Sequence, residues 1–314
     1  MAARDTRVVS AELANKALDG AVRALFEVSW GKARSYIETG KVTIDGAPCA
    51  DLTRRVRAGS EIGLTMSAPR RPVEGDLPEG AIVHVDTHVV IVNKPAGIST
   101  IPYDEKETGT LDERVRSLLQ RRAPKGDRGT RPSLGVVHRL DKETSGLIVF
   151  TRTWAAKQSL TQQFRVHSVH RRYFAIAHGR VPTQTIRSRI VQDRGDGLRG
   201  SVRAQAPREI GQPAVTHVEL IEELDGASLV SCRLETGRTH QIRIHLSEAG
   251  HPIVGERVYI RRFAGEPIPA ERMMLHAAEL GFTHPGSSAE VRWELPLPED
   301  MLQTLRRLGS KGAR

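Results

Sequence analysis

Gly135-Val136-Val137-His138-Arg139-Leu140-Asp141-Lys142-Glu143-Thr144-Ser145-Gly146-Leu147-Ile148-Val149-Phe150 sets one carboxylate, Asp141, in a polar turn between two apolar runs. The pattern reads as strand, turn, strand, and a loop pinned between two buried strands can fix a side chain firmly. Asp141 is therefore the first candidate for chemistry, with His138 and Arg139 before it and Thr144, Ser145 and Gly146 after it. Taken alone, the tetrapeptide His138-Arg139-Leu140-Asp141 is also consistent with an ordinary turn and a solvated Asp.

Outward from this stretch, the 314 residues have room for one large and one small domain, or for two of middling size. Hydrophobic residues at 39% and charged residues at 27% describe a globular chain rather than a disordered one. A formal net charge of +10 points to an anionic partner, with nucleic acid the first candidate and an acidic membrane surface the second. No apolar run approaches the ~18 residues that a membrane span needs. No apolar core follows the opening Met1-Ala2-Ala3-Arg4-Asp5, so no signal peptide is expected. Cys49 and Cys232 lie far apart and fit a reducing cytoplasm, with neither a disulfide framework nor a metal site.

Residues Leu13 to Met66 read as a compact basic module. Leu18, Val22, Leu25 and Phe26 have helical spacing, and a second helix is expected from Ser29, its cap, to Thr39, with Gly40 as its stop. Strands at Lys41 to Ile44 and Glu61 to Thr65 follow, the first closed by the turn Asp45-Gly46. Arg23, Lys32, Arg34, Lys41, Arg54, Arg55 and Arg57 are either phosphate contacts or a solvated face. Prolines and glycines from Ser67 to Gly80 mark a linker. The expected organisation is thus a module at 1–68, a linker at 69–80, a large domain at 81–300 and a basic C-terminal tail at 301–314.

In the large domain, Ile82 to Val85 and Val89 to Val92 read as buried strands, followed by the turn Asn93-Lys94-Pro95-Ala96-Gly97. Helices are predicted at Asp112 to Leu119 and Ala155 to Val166, the latter with Leu160 and Phe164 inward, and Arg121 to Arg131 as an exposed basic loop. Arg172 to His178 is a strand broken by Gly179, and Ala214 to Leu224 with Ala227 to Leu234 is a hairpin around Asp225-Gly226. Thr239 is the expected cap of a helix stopped by Gly250 and Pro252. Strands at Met274 to Phe282 and Ala289 to Trp293 and a helix at Pro296 to Leu308 complete an α+β chain with a largely antiparallel mixed central sheet.

Several stretches together resemble the pseudouridine synthases of the RluA type. His138-Arg139-Leu140-Asp141 with Thr144-Ser145-Gly146 is similar to their central motif, and the NKPAG turn to the entry of their core. Arg171-Arg172-Tyr173-Phe174-Ala175 looks like their basic-x-Tyr-x-Ala motif, with Arg171 where Lys is more usual. Leu234 to Leu246 resembles L-x-TGRTHQIRxHL, and Gly250 to Gly255 resembles GHPIxG, with Glu256 in place of the usual Asp. Met274-Leu275-His276-Ala277 and Thr283-His284-Pro285 match the closing pair. The N-terminal SWGKARSYIETGKVTIDG is similar to the small RNA-binding module of ribosomal protein S-four, although the usual Arg-Leu-Asp-Lys opening is here Ala17-Leu18-Asp19-Gly20.

The resemblance implies a pseudouridine synthase fold and the isomerisation of uridine in structured RNA, with large-subunit ribosomal RNA favoured and tRNA possible as substrate. The bond from N1 of uracil to the ribose breaks, the base turns, and C5 rejoins, so no donor or redox cofactor is needed. Asp141 is implied as the catalytic carboxylate, either as nucleophile or as the base that takes a ribose proton. Burial would drive a lone carboxylate to protonate, and the implied counter-charge is Arg243, in the first turn of the helix expected after Thr239. Such a pair can be bidentate. A flipped uracil needs an aromatic platform, which the resemblance assigns to Tyr173. Arg139 either fills the gap left by the flipped nucleotide or contacts a phosphate, and Leu275 is part of the apolar wall. His138, Arg171 and Arg238 complete the expected substrate-binding set, with Lys32, Arg34, Arg54 and Arg55 at RNA in the N-terminal module. His240, His245 and His251 have no metal-site spacing, so no metal is expected. The expected protein is a cytoplasmic monomer without a membrane partner. A catalytically silent RNA-binding or ribosome-assembly factor is the rival reading, opposed by the presence of Asp141, Tyr173 and Arg243.

Overall fold

Two apolar runs that alternate nothing, Val89–Lys94 and Ser145–Thr151, lie side by side at the heart of the computed structural model. It describes residues 5–68, 77–104, 107–123, 132–202, 207, 209–261 and 263–312. The greater part of the expected linker (69–76) and of the basic loop (124–131) lies outside the described residues. The chain divides into two compact units, Met1–Pro72 with Gly195–Leu198, and Val73–Arg194 with Arg199–Arg314.

The smaller unit holds β1 (Asp5–Val8), α1 (Leu18–Phe26), α2 (Trp30–Glu38), β2 (Val42–Ile44), β3 (Ala47–Pro48) and β4 (Glu61–Leu64). Leu18, Ala21 and Val22 of α1 and Ala33 and Ile37 of α2 are fully buried, as the helical spacing requires. Ser29 caps α2 by accepting from the Lys32 amide at 3.3 Å, and Gly40 (φ 73°) ends it. Asp45 and Gly46 both have positive φ, the primed turn that suits a hairpin. The four strands run antiparallel in the order β1-β4-β2-β3. Strand β1 had no apolar signal because all four of its residues are exposed.

The larger unit continues with β5 (Ile82–Val85), β6 (Val89–Lys94), α3 (Leu111–Arg122), β7 (Gly135–Val136), β8 (Ser145–Thr151), α4 (Trp154–Arg165), β9 (His170–His178) and β10 (Gln184–Val191). Then come β11 (Gly200–Ser201), β12 (Gln212–Leu224), β13 (Ala227–Leu234), α5 (Gln241–Glu248), β14 (Leu275–Thr283), β15 (Glu290–Glu294) and α6 (Glu299–Arg307). One sheet takes the order β11-β10-β12-β13-β9-β14-β8-β6-β5, with β7 on β8 and β15 on β14. Among the described residues only β8 and β14 pair in parallel. Pleat alternation sends Val90, Val92, Ile148 and Phe150 to one face, packed with Val115 and Leu118 of α3 and Met301 and Leu305 of α6. Val89, Ile91, Leu147 and Val149 go to the other, against Leu160 of α4. Burial on both faces is why β6 and β8 are continuously apolar.

Three expectations shift. Helix α5 is not capped by Thr239: the residue before it, His240, has φ 60° and makes no side-chain cap. The carboxamide of Gln241 instead accepts from the Arg238 amide at 3.0 Å, so the capping group comes from inside the helix. Helix α6 starts at Glu299 rather than Pro296, because the chain is still extended at Pro298, and it carries Met301, Leu305 and the following Leu308 into the core, so the large domain continues past residue 300 where a basic tail was expected from 301. Strand β10, rich in Arg, Ser and Thr, was not anticipated.

Candidate active site

The Asp141 loop is clasped from below. Thr100 Oγ1 donates to the Leu140 carbonyl at 2.9 Å and accepts from the Leu140 amide at 3.2 Å. The Thr144 amide closes the turn onto the Asp141 carbonyl at 3.1 Å. Lys94, wholly buried at the end of β6, donates Nζ to the carbonyls of Pro95 and Lys142, both at 2.9 Å, and the Gly97 amide also reaches the Lys142 carbonyl. The NKPAG turn thus serves as a cradle for the loop. Burial, opposed by Glu143 and Asp141, lowers the Lys94 pKa to about 7; a neutral amine still donates to both carbonyls. On the far side, Gly146 (φ 113°) lies where a Cβ would fall 2.2 Å from the Ala277 carbonyl oxygen, so only glycine lets β8 approach β14.

Helix α5 brings Arg243 to this loop. Its Nη1 lies 3.5 Å from Asp141 Oδ2, a single long contact rather than the bidentate pair expected. The two-pronged grip goes to Glu256: Nε to Oε2 at 2.7 Å and Nη2 to Oε1 at 2.8 Å, with the Glu256 side chain fully buried. Backbone amides of Arg257, Val258 and Tyr259 also donate to Glu256 Oε1. Burial resists the Arg243 charge, but Glu256 and then Asp141 outweigh it and raise the pKa. Burial likewise opposes Glu256 ionisation, yet Arg243 and the amides lower its pKa to about 2. Glu256 is the residue that sequence reading missed; its only signal was the departure from the expected Asp. His240 approaches the other carboxylate oxygen, Nε2 to Oδ1 at 3.9 Å.

Asp141 and Arg243 line a cavity of about 500 Å³ together with Tyr173, Leu275, Arg139, His138, Arg171 and Arg238. All eight residues expected at substrate in this unit therefore border one space. Tyr173, in β9 opposite Ala277, is 8% exposed, and burial raises its phenol pKa, so the ring is neutral. Leu275 opens β14 and is buried. Arg139 is exposed, its guanidinium 3.5 Å from Thr239 Oγ1. Arg171 is held over the Phe164 ring and donates to the Glu235 carbonyl; burial lowers its pKa. Arg238 donates Nε to the Pro213 carbonyl. His138, at the cavity, also braces the sheet: its Nε2 accepts from the Val149 amide at 3.1 Å and its ring stacks on Phe164, while burial and then Arg171 lower its pKa to about 3. It acts as a neutral strut for β8, with one ring nitrogen committed to the backbone.

In the smaller unit, Lys32 and Arg54 are exposed, and Arg55, also exposed, donates Nη1 to the Asn15 carbonyl. Arg34 instead lies against Asp19 at 3.1 Å and over the Trp30 ring. No group of three or more His, Cys, Asp or Glu side chains among the described residues is placed to hold a metal ion. No described helix is long and apolar enough to cross a membrane.

The sequence profile of the family described as RNA pseudouridylate synthase matches residues 88–248. The ribosomal large subunit pseudouridine synthase D of Neisseria meningitidis serogroup A is 37% identical, over 95% of this chain and 80% of its own. Its namesake in Pseudomonas aeruginosa is 35% identical, over 94% of this chain and 92% of its own. Among solved structures, human RNA pseudouridylate synthase domain containing 4 superposes with a TM-score of 0.58 at 24% identity, covering 73% of this chain and 93% of that one, a likeness of fold.

Proposed function

This chain belongs to the RNA pseudouridylate synthase family, and from that premise we propose that Asp141 is its catalytic carboxylate and large-subunit ribosomal RNA its substrate. The single observation that carries the assignment of Asp141 is its place: a carboxylate on a clasped loop, 3.5 Å from a guanidinium that is itself fixed by Glu256, at the edge of a cavity with an aromatic wall. Arg243 sets a positive charge against the carboxylate that is to act as nucleophile or base. In the reaction the N1–C1′ bond breaks, C5 bonds to C1′, the proton on C5 leaves and N1 takes one up, so atoms balance without a co-reactant. Tyr173 stacks on the uracil once it has left the RNA helix. Arg139, exposed at the mouth, occupies the position that the nucleotide vacates. Leu275 bounds the pocket on its apolar side, and Arg171 and Arg238 supply positive charge to the phosphates around the flipped nucleotide.

The ribosomal target rests on the names of the relatives, whose lengths this chain nearly spans, and on the basic N-terminal unit. Residues 1–68 act as the RNA-binding module through Lys32, Arg54 and Arg55, joined at 69–80 to a catalytic domain that runs from 81 through the core-packed helix α6. The protein works as a cytoplasmic monomer. Asp141→Asn tests the mechanism: product formation on unmodified large-subunit ribosomal RNA should vanish while folding and RNA binding persist. Undiminished pseudouridine formation by that variant removes Asp141 from the chemistry. Mapping pseudouridines in RNA from cells with and without the gene identifies the uridine, and a change confined to tRNA would overturn the ribosomal target.

A further inference from the structure

His240 stands beside Asp141, and Tyr259 stands on the far side of its ring. The His240 backbone is left-handed (φ 60°, ψ 20°), uncommon for a residue with a Cβ and retained only where the surroundings fix it. In this conformation the two ring nitrogens meet different partners: Nδ1 lies 2.7 Å from the Tyr259 hydroxyl and Nε2 3.9 Å from Asp141 Oδ1. Tyr259 is 4% exposed, and its ring also carries the Arg243 guanidinium 5.2 Å from its centroid. One side chain therefore touches both groups that face the carboxylate.

The chemistry of the partners decides the proton. A carboxylate only accepts, whereas a phenol both donates and accepts. Neutral imidazole has one N–H: on Nε2 it points a donor at Asp141 and leaves the Nδ1 lone pair for the phenol, while on Nδ1 it would set a lone pair against an anion. Burial, opposed by Asp141, lowers the His240 pKa to about 4, and burial raises that of the Tyr259 phenol, so a neutral ring meets an intact O–H at neutral pH.

We propose that Tyr259 is a positioning residue that acts through His240: its hydroxyl donates to Nδ1, fixes the Nε2–H tautomer, and so directs an N–H dipole at the Asp141 oxygen that Arg243 does not meet. The carboxylate is then flanked at both oxygens by donors of fixed direction, which limits its rotation and holds its charge where the sugar or base arrives. The proposal rests on the reading of Asp141 as the reacting group.

Tyr259→Phe separates the two functions of the residue, since it keeps the ring under Arg243 and deletes only the hydroxyl. In ¹⁵N-labelled wild-type protein at neutral pH, His240, identified by the signals lost in His240→Asn, should show a protonated Nε2 and an unprotonated Nδ1. In Tyr259→Phe the two nitrogen shifts should converge as tautomers mix. Its single-turnover rate on unmodified large-subunit ribosomal RNA should fall about tenfold, with KM within about twofold, the size expected for one hydrogen bond. A wild-type Nδ1–H tautomer, or a Tyr259→Phe variant with the wild-type rate and tautomer, overturns the proposal. Asp141→Asn keeps the two failures apart: if it is inactive while Tyr259→Phe is normal, only the relay falls, and if it is active, the reading of Asp141 falls while the nitrogen shifts still report on Tyr259.

Discussion

Replacing Glu256 by Gln deletes one charge from the Arg243 site without changing its volume. Glu256 Oε2 accepts from Arg243 Nε, and Oε1 accepts from Arg243 Nη2 and the amides of Arg257, Val258 and Tyr259. Every approach to the carboxylate is thus a donor, and a carboxamide must turn its NH₂ against at least one of them. Breaking a buried ion pair from one side costs about 3–5 kcal/mol, because the remaining charge stays buried. Linkage leads to a similar figure. The Glu256 pKa falls from 4.5 in the free side chain to about 2. At ~1.4 kcal/mol per unit, that is about 3 kcal/mol. The sign follows: the contribution is complete above the unfolded value of 4.5 and is lost as pH falls toward about 2. For a unit of this size the loss lowers the melting temperature by about 10 °C. Thermal unfolding of wild type and Glu256→Gln at pH 7 and pH 3 measures it, and the gap should shrink at the lower pH. Melting curves that coincide at pH 7 would refute the claim that Glu256 anchors Arg243.

Lys94→Met tests the cradle: the free side chain titrates at 10.5 and the buried one at about 7, so between these values the unfolded chain holds the extra proton and stability rises with pH. Wild type should gain about 2 kcal/mol over Lys94→Met between pH 7 and 9 in urea unfolding; parallel profiles would remove the buried amine from the pH dependence. Gly146→Ala should destabilise by about 4 kcal/mol or more and reduce soluble yield, since its Cβ meets the Ala277 carbonyl; an unchanged melting temperature contradicts the close approach. Exchanging Lys32, Arg54 and Arg55 together for Ala should weaken RNA binding and flatten its salt dependence by about one unit of slope per lost phosphate contact. An unaltered slope would show these residues to be a solvated face only.

What was legible in the sequence, and what was not, follows from range. The runs at β6 and β8 and the hairpin turn at Asp225-Gly226 are local signals, and their strands stand close to where they were read. Asp141 and Arg243 are 102 residues apart, and only the order of motifs, not any property of either residue, put them together. Glu256 escaped because a partner's identity depends on three-dimensional competition: the guanidinium has two carboxylates within reach, and the fully buried one with three amides behind it takes the fork. Strand β10 hides behind Arg187, Ser188 and Arg189, polar residues tolerated near the edge of a sheet where little of the strand is buried. His138 was legible as a neighbour of Asp141, but not its hydrogen bond to Val149, a partner 11 residues on in the next strand.

The parallel pairing of β8 with β14 also governs when the site can exist. Ser145 and His276 meet across 131 residues of chain, and the Ser145 hydroxyl is 2.9 Å from the His276 imidazole. Contacts of such separation close late in folding, after local hairpins and helices. During synthesis from the N-terminus, the Asp141 loop and Arg243 leave the ribosome well before Leu275, the wall of the pocket and the neighbour that β8 requires. A nascent chain therefore has Asp141 long before it has the complete cavity around it, which closes in one late step, when nearly the whole larger unit has been made.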